Sequence, residues 1–261
     1  MSKANLLSVF FLFLVLPFAV FAQEESPQDL FLKGTQFYIA KDYAQAQESF
    51  QKSLEKDPRN STTMTNLAMA QFQLGHKSIA VGLLRKALAA EPDLLTAQQA
   101  YKFILSQMEI KEVPHQLESY ETLRRYFLQP IPLTAYLAIT ALLFFAAGWA
   151  LLAFVDRRKK AMIAESALPP FPVLATLYSV IFVLFTGLLV LKIHDSRQIR
   201  GTVIDERIAL QTAPGENQAS VLDLYGGMEV LLLSEDGEWA QVSYPGSLSG
   251  WIKKSSLIMT R

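Results

Sequence analysis

The chain contains no cysteine in 261 residues. That excludes disulfides, thiolate nucleophiles, cysteine metal sites and a cysteine lipid anchor, and leaves the redox compartment open. Histidine is scarce as well: His76, His115 and His194 lie far apart, and none belongs to a motif with metal-ligand spacing. Adjacent carboxylates occur at Glu24-Glu25 and Glu235-Asp236, with no companion base, glycine-rich phosphate loop or nucleophile elbow nearby. The expectation is a non-enzymatic protein with no cofactor and no metal. Excess charge is also missing. The 24 basic and 24 acidic residues cancel, which argues against an electrostatic nucleic-acid footprint.

What the sequence has instead is long apolar runs. Residues 133–155 and 171–191 carry no charge, and each reaches about 30 Å or slightly more as a helix, enough to cross a hydrocarbon core. Residues 156–170 join them through Asp156, Arg157, Arg158, Lys159 and Lys160 and end at Pro169-Pro170, which predicts a tight basic turn. A third run stands at the N-terminus. Lys3, the apolar stretch 6–16, Pro17 and the small residues of Val20-Phe21-Ala22 read as a signal peptide over residues 1–22, cleaved before Gln23 or kept as an anchor. Either outcome exports the residues after it. The first span then runs inward, the basic turn is cytoplasmic, and the second span returns the chain to the outer side. Raw charge does not settle the orientation, because Arg124, Arg125, Lys192, Arg197 and Arg200 flank the outer ends. The basic cluster serves most simply as a topology lock, with anionic lipid or a cytosolic partner as the other reading.

Between signal and spans, residues 26–128 repeat themselves. Pro58 and Pro92 are 34 residues apart; Ala46 and Ala80 precede them by twelve, Phe50 and Leu84 by eight, and Gly34 and Leu30 match Ala68 and Met64. This period and order of small and large positions resemble the tetratricopeptide repeat. The resemblance implies helical hairpins in which small residues let two helices approach and bulky ones fill the seam. Two such units need a cap. A third helix from Asp93 to Ile110, with Ala97, Tyr101 and Ile104 or Leu105 inward, is expected to supply it. Another helix, His115 to Leu128, either completes a divergent third repeat or lies along the membrane surface. In the family's geometry the inner groove falls to Phe31, Thr35 and Tyr38 in the first unit and Thr65, Met69 and Phe72 in the second. These either bind protein or pack against the neighbouring repeat. Asn66 has no matching asparagine–lysine set, so a clamp for a C-terminal carboxylate is not expected.

After a short polar stalk, residues 202–261 alternate short strands with turns. The strand candidates are Arg207 to Leu210, Val221 to Leu224, Met228 to Leu233, Trp239 to Tyr244 and Gly250-Trp251-Ile252, with Asp236-Gly237 as a hairpin signal. About sixty residues of this kind predict a small barrel. Ala213-Pro214, Gly227, Trp239 and Gly250-Trp251-Ile252, in that order, resemble the bacterial SH3 family. Gln211 stands where that family often has arginine, which weakens transfer of cell-wall binding. Trp239, Tyr244 and Trp251 are the candidate ligand surface, with core packing as the alternative. The segment from Gly201 onward holds eight acidic and four basic residues, a net of −4, so polyanions are disfavoured.

The expected fold is thus a multidomain membrane protein: an α-helical tetratricopeptide-repeat solenoid, a two-helix transmembrane hairpin and a small all-β SH3-like barrel. This order of parts resembles the BatE-type proteins of the Bat aerotolerance group. The resemblance implies a bacterial inner-membrane scaffold with both soluble domains periplasmic. Its implied partners are membrane-anchored von Willebrand A-domain proteins and a MoxR-type ATPase. A protein that binds or senses peptidoglycan is the alternative.

Overall fold

The computed structural model describes residues 25–108, 119–244 and 248–260. The predicted signal segment, residues 109–118 and the tip after Tyr244 lie outside them; His115 and Leu117 fall in the second of these.

Five helices come first: α1 Pro27–Ile39, α2 Tyr43–Lys56, α3 Ser61–Gln73, α4 Lys77–Ala90 and α5 Leu95–Ser106. Local chemistry sets the first three starts. Ser26 and Asp29 form a reciprocal capping box, and Asp42 and Asn60 accept from the backbone N–H groups of Gln45 and Thr63. The 34-residue register is visible in the packing. Ala46 and Ala80 are completely buried, as are Phe50 and Leu84 to within 1%. At Gly34 an added Cβ would lie 2.7 Å from the Phe50 ring, so α1 and α2 approach at a distance only glycine permits. The first helices of successive units lie side by side, α1 on α3 and α3 on α5. Helix α5, expected over 93–110, is shorter than the sequence suggests, ending at Ser106.

A short helix, α6 Ser119–Leu123, continues as a π-helical turn Arg124–Leu128, where the Gln129 N–H donates to the Arg124 carbonyl at 2.8 Å. Two long apolar helices come next, α7 Leu133–Ile163 and α8 Val173–Arg197. They pack along each other as an antiparallel hairpin, with Phe144 and Phe182 5.7 Å apart. Both outrun the predicted spans. The basic cluster belongs to α7 and is not a turn: the helix closes only at Glu165, which takes a positive φ of 46° while the Ser166 N–H caps the Ala161 carbonyl. Leu142, Phe145, Trp149, Leu152, Leu174 and Val183 are all more than 60% exposed, so the hairpin does not bury its apolar surface within the protein.

The last part is a seven-stranded antiparallel sheet of order β3-β2-β6-β5-β4-β1-β7. Its strands are β1 Arg200–Val203, β2 Arg207–Gln211, β3 Ser220–Tyr225, β4 Glu229–Asp236, β5 Trp239–Tyr244, β6 Leu248–Lys253 and β7 Leu257–Met259; a 3-10 turn, Lys254–Ser256, precedes β7. Val203, Leu210, Leu224, Val230, Ala240, Val242 and Ile252 form its core, each fully buried. The stalk expected at residues 195–201 does not exist. α8 runs to Arg197, and β1 begins three residues later, paired to both β4 and β7. Nor is β6 the last strand.

Candidate binding surfaces and the domain junction

The repeat face predicted to bind is partly occupied by its own packing. Thr65 is buried at 6% exposure, and its hydroxyl donates to the Ser61 carbonyl at 2.8 Å. The Thr35 hydroxyl is similarly bound to the Phe31 carbonyl, at 2.9 Å. Phe31 leans on Phe50, 5.8 Å between ring centroids, and Tyr38 meets Tyr43 edge-on at 5.3 Å. Met69 and Phe72 pack along the core formed by α3, α4 and α5. What remains open is Phe103 on α5, half-exposed and edge-on to Phe72 at 5.4 Å, with Ile39 exposed at the end of α1. Phe103 lies outside the predicted groove set, although the 34-residue step that links Thr35 to Met69 lands on it.

In the sheet, parity separates the three aromatic candidates. Ala240 and Val242 point into the core, and Tyr244, an even step away, packs against it with them. Trp239 and Trp251 lie on the opposite face. Trp251 is paired in register with Gln241, and Trp239 with Lys253, so the two indoles occupy diagonal positions. The Lys253 ammonium sits 5.7 Å from the Trp239 ring and 2.6 Å from the Glu216 carboxylate. Gln211 pairs with Trp251 from the other side, and its side-chain oxygen is buried without a hydrogen-bond partner.

One built region is announced by no single motif: the junction of repeats and sheet. Helix α4 packs against β1 and β7. Gly82 allows it, since a Cβ there would meet the Ile258 side chain at 3.0 Å. Arg85 then crosses the boundary, donating to the Gly227 carbonyl at 2.8 Å and the Thr202 hydroxyl at 3.0 Å. Its Nε donates to the Tyr101 hydroxyl on α5 at 3.1 Å. Gly227 has a φ of 87°, which glycine adopts at little cost, and a Cβ there would strike the Met108 methyl at 2.6 Å. Beside this contact a cleft of about 560 Å³ runs between the α3–α4 turn and the β3–β4 turn, lined by His76, Lys77, Ser78, Glu206 and Tyr225 among others.

A second junction ties sheet to hairpin. Asp195, near the end of α8, receives Arg124 at 3.0 Å and Arg200 at 3.3 Å; Arg124 also reaches Glu229 at 3.4 Å. The side chains of Arg124, Asp195 and Arg200 are all 12% exposed or less. The Tyr120 hydroxyl donates to the same Asp195 oxygen, and burial pushes its pKa up, with the neighbouring carboxylate adding to the effect. Lys192 donates to the Leu128 carbonyl, and the Tyr136 hydroxyl to that of Phe127 at 2.9 Å. The repeats and the sheet are therefore both held at the same end of the hairpin. Among the described residues no group of histidine and carboxylate side chains could hold a metal ion.

Residues 37–102 match the tetratricopeptide repeat family model. Among solved structures the chain is similar to the first tetratricopeptide-repeat domain of Spaghetti (RPAP3) bound to the HSP90 peptide SRMEEVD. The identity is 25% and the TM-score 0.30, over 31% of this chain and 68% of that one. No curated protein sequence matches this chain. The chain thus contains tetratricopeptide repeats, and such repeats imply protein–protein interaction.

Proposed function

We propose that this chain is a non-enzymatic inner-membrane adaptor, its repeats and an SH3-like barrel held together outside the cytoplasm to recruit protein partners. One observation carries the reading. An apolar hairpin that hides little of its surface bears both soluble parts at one end and exposed cations at the other. A soluble protein would leave large side chains such as Trp149 and Phe145 in water, whereas a bilayer covers them. The short 3-10 turn before the last strand and the small antiparallel sheet support the SH3-like assignment. By its resemblance to BatE-type proteins, the adaptor's partners are membrane-anchored von Willebrand A-domain proteins working with a MoxR-type ATPase. Reporter fusions after Gln107 and after Thr260 are expected to behave as exported, and one at Ala161 as cytoplasmic. An exported Ala161 reporter, or a cytoplasmic one after Thr260, would overturn the topology.

A second reading, peptidoglycan binding, is favoured by the diagonal of Trp239 and Trp251 beside the unpaired Gln211 oxygen. Stacking of a sugar or peptide there would give retention on purified sacculi that Trp251→Ala abolishes. A full chain that washes through without retention removes this reading and leaves the adaptor.

A further inference from the structure

The far end of the hairpin is built for more than setting topology. Helix α7 has 31 residues, roughly 46 Å at the usual rise, against a hydrocarbon core of about 30 Å. The excess is the segment after Val155, which stays helical and carries Arg157, Arg158, Lys159 and Lys160, every one exposed. Four consecutive cations on a helix are spread at about 100° intervals, so they ring it and no single neighbour can shield them all. Acidic relief is slight: Asp156 pairs with Lys160 at 2.7 Å, and the Arg157 Nε bonds only to the Ala153 carbonyl, at 3.2 Å. No ion pair engages Arg158 or Lys159 among the described residues. A ring of cations just past an uncharged apolar span sits at the level of the headgroup layer, above the acyl chains that cover the span. The cap at Glu165 and Ser166 closes the helix only after the ring is complete.

We infer that the basic end of α7 is a docking surface for the headgroups of anionic phospholipids. The inference rests on the membrane reading above. Trp149 supplies the probe, since it is 78% exposed on α7, eight residues before Arg157. Trp239 and Trp251 lie in the sheet at the other end of the hairpin and contribute an unquenched background. The full chain is reconstituted in symmetric phosphatidylcholine vesicles containing a minority of phosphatidylglycerol, with one or the other lipid brominated on its acyl chains. Brominated phosphatidylglycerol should quench Trp149 as though enriched about fivefold over its bulk share, the effect of one effective cation near an anionic surface. Converting Arg157, Arg158, Lys159 and Lys160 to Gln should return quenching to the bulk ratio, and raised salt should do the same to the parent. Quenching in proportion to bulk composition in the parent, or an enrichment the substitutions leave unchanged, overturns the inference; the cations would then serve topology or a protein. If neither brominated lipid quenches Trp149, the hairpin is not in the bilayer, and the membrane reading fails with it.

Discussion

The guanidinium of Arg85 donates to the Gly227 carbonyl at 2.8 Å, across 142 residues of sequence and from one domain into another. The same group holds Thr202 and Tyr101, so one side chain joins α4, α5, β1 and the β3–β4 turn. Repeats and sheet are therefore one packed body, not two modules on stalks.

Arg85→Met keeps the stem and removes the donors. Hydrogen bonds from a charged group contribute about 1.5–3 kcal/mol, and this change leaves the Gly227 carbonyl unpaired. The expected result is a lower melting temperature and faster amide exchange in both α4 and β1. Exchange that rises in α4 alone would show that the two domains are not coupled through this residue.

Gly82→Leu should destabilise although it improves the helix. In an exposed helix the change would gain roughly 0.8 kcal/mol. Here the new side chain runs into Ile258, and overpacking costs about 1–3 kcal/mol. Chemical denaturation of the single and of the pair with Ile258→Ala checks this; partial rescue in the pair is the expected signature.

Ala80→Arg tests the repeat register. Ala80 is fully buried in the α3–α4–α5 core, so the substitution adds both a clash and an unpaired charge. Helical circular dichroism should fall sharply. Unchanged helicity and melting would contradict that packing.

Asp195→Asn should be more damaging than an exposed ion pair would suggest. It leaves Arg124 and Arg200 buried with less countercharge, and removing one member of such a group costs about 3–5 kcal/mol. Purified variant should show proteolytic cleavage near Gln198. Tyr120 gives a smaller effect of defined sign. Its raised pKa means the folded state keeps a proton the unfolded chain has lost, so stability declines as pH climbs above about 10. Tyr120→Phe should flatten that part of the alkaline profile.

The repeats were legible because their signal is local and doubled: Ala46 and Ala80, Phe50 and Leu84, Pro58 and Pro92 keep one spacing. The same spacing also contained Phe103, one step beyond Met69. Strand parity likewise held the fate of Tyr244, five residues from Trp239 and so on the other face. Other features had no local mark. β1 is four residues, Arg-Gly-Thr-Val, whose burial on every position comes from partners at β4, β7 and α4. The Arg124–Asp195 pair joins positions 71 apart, each of which alone reads as a membrane-flanking charge. Gly82 was the one hint of the domain junction, as a glycine inside an otherwise good helix needs a reason such as close approach.

The position of β1 also has a consequence in time. β1 is the first strand of the sheet to be synthesised, and it is paired on one side with β7, the last; the Thr260 N–H closes onto the Arg200 carbonyl at 2.9 Å. The sheet cannot close until β7 has been made. The flank of α4 around Gly82 and Arg85 is made more than 150 residues earlier and has no cover until then. Domains made from the N-terminus onward usually fold as they appear. Here the finished repeats must wait with an open side, and that interval is when a holding chaperone would find its substrate.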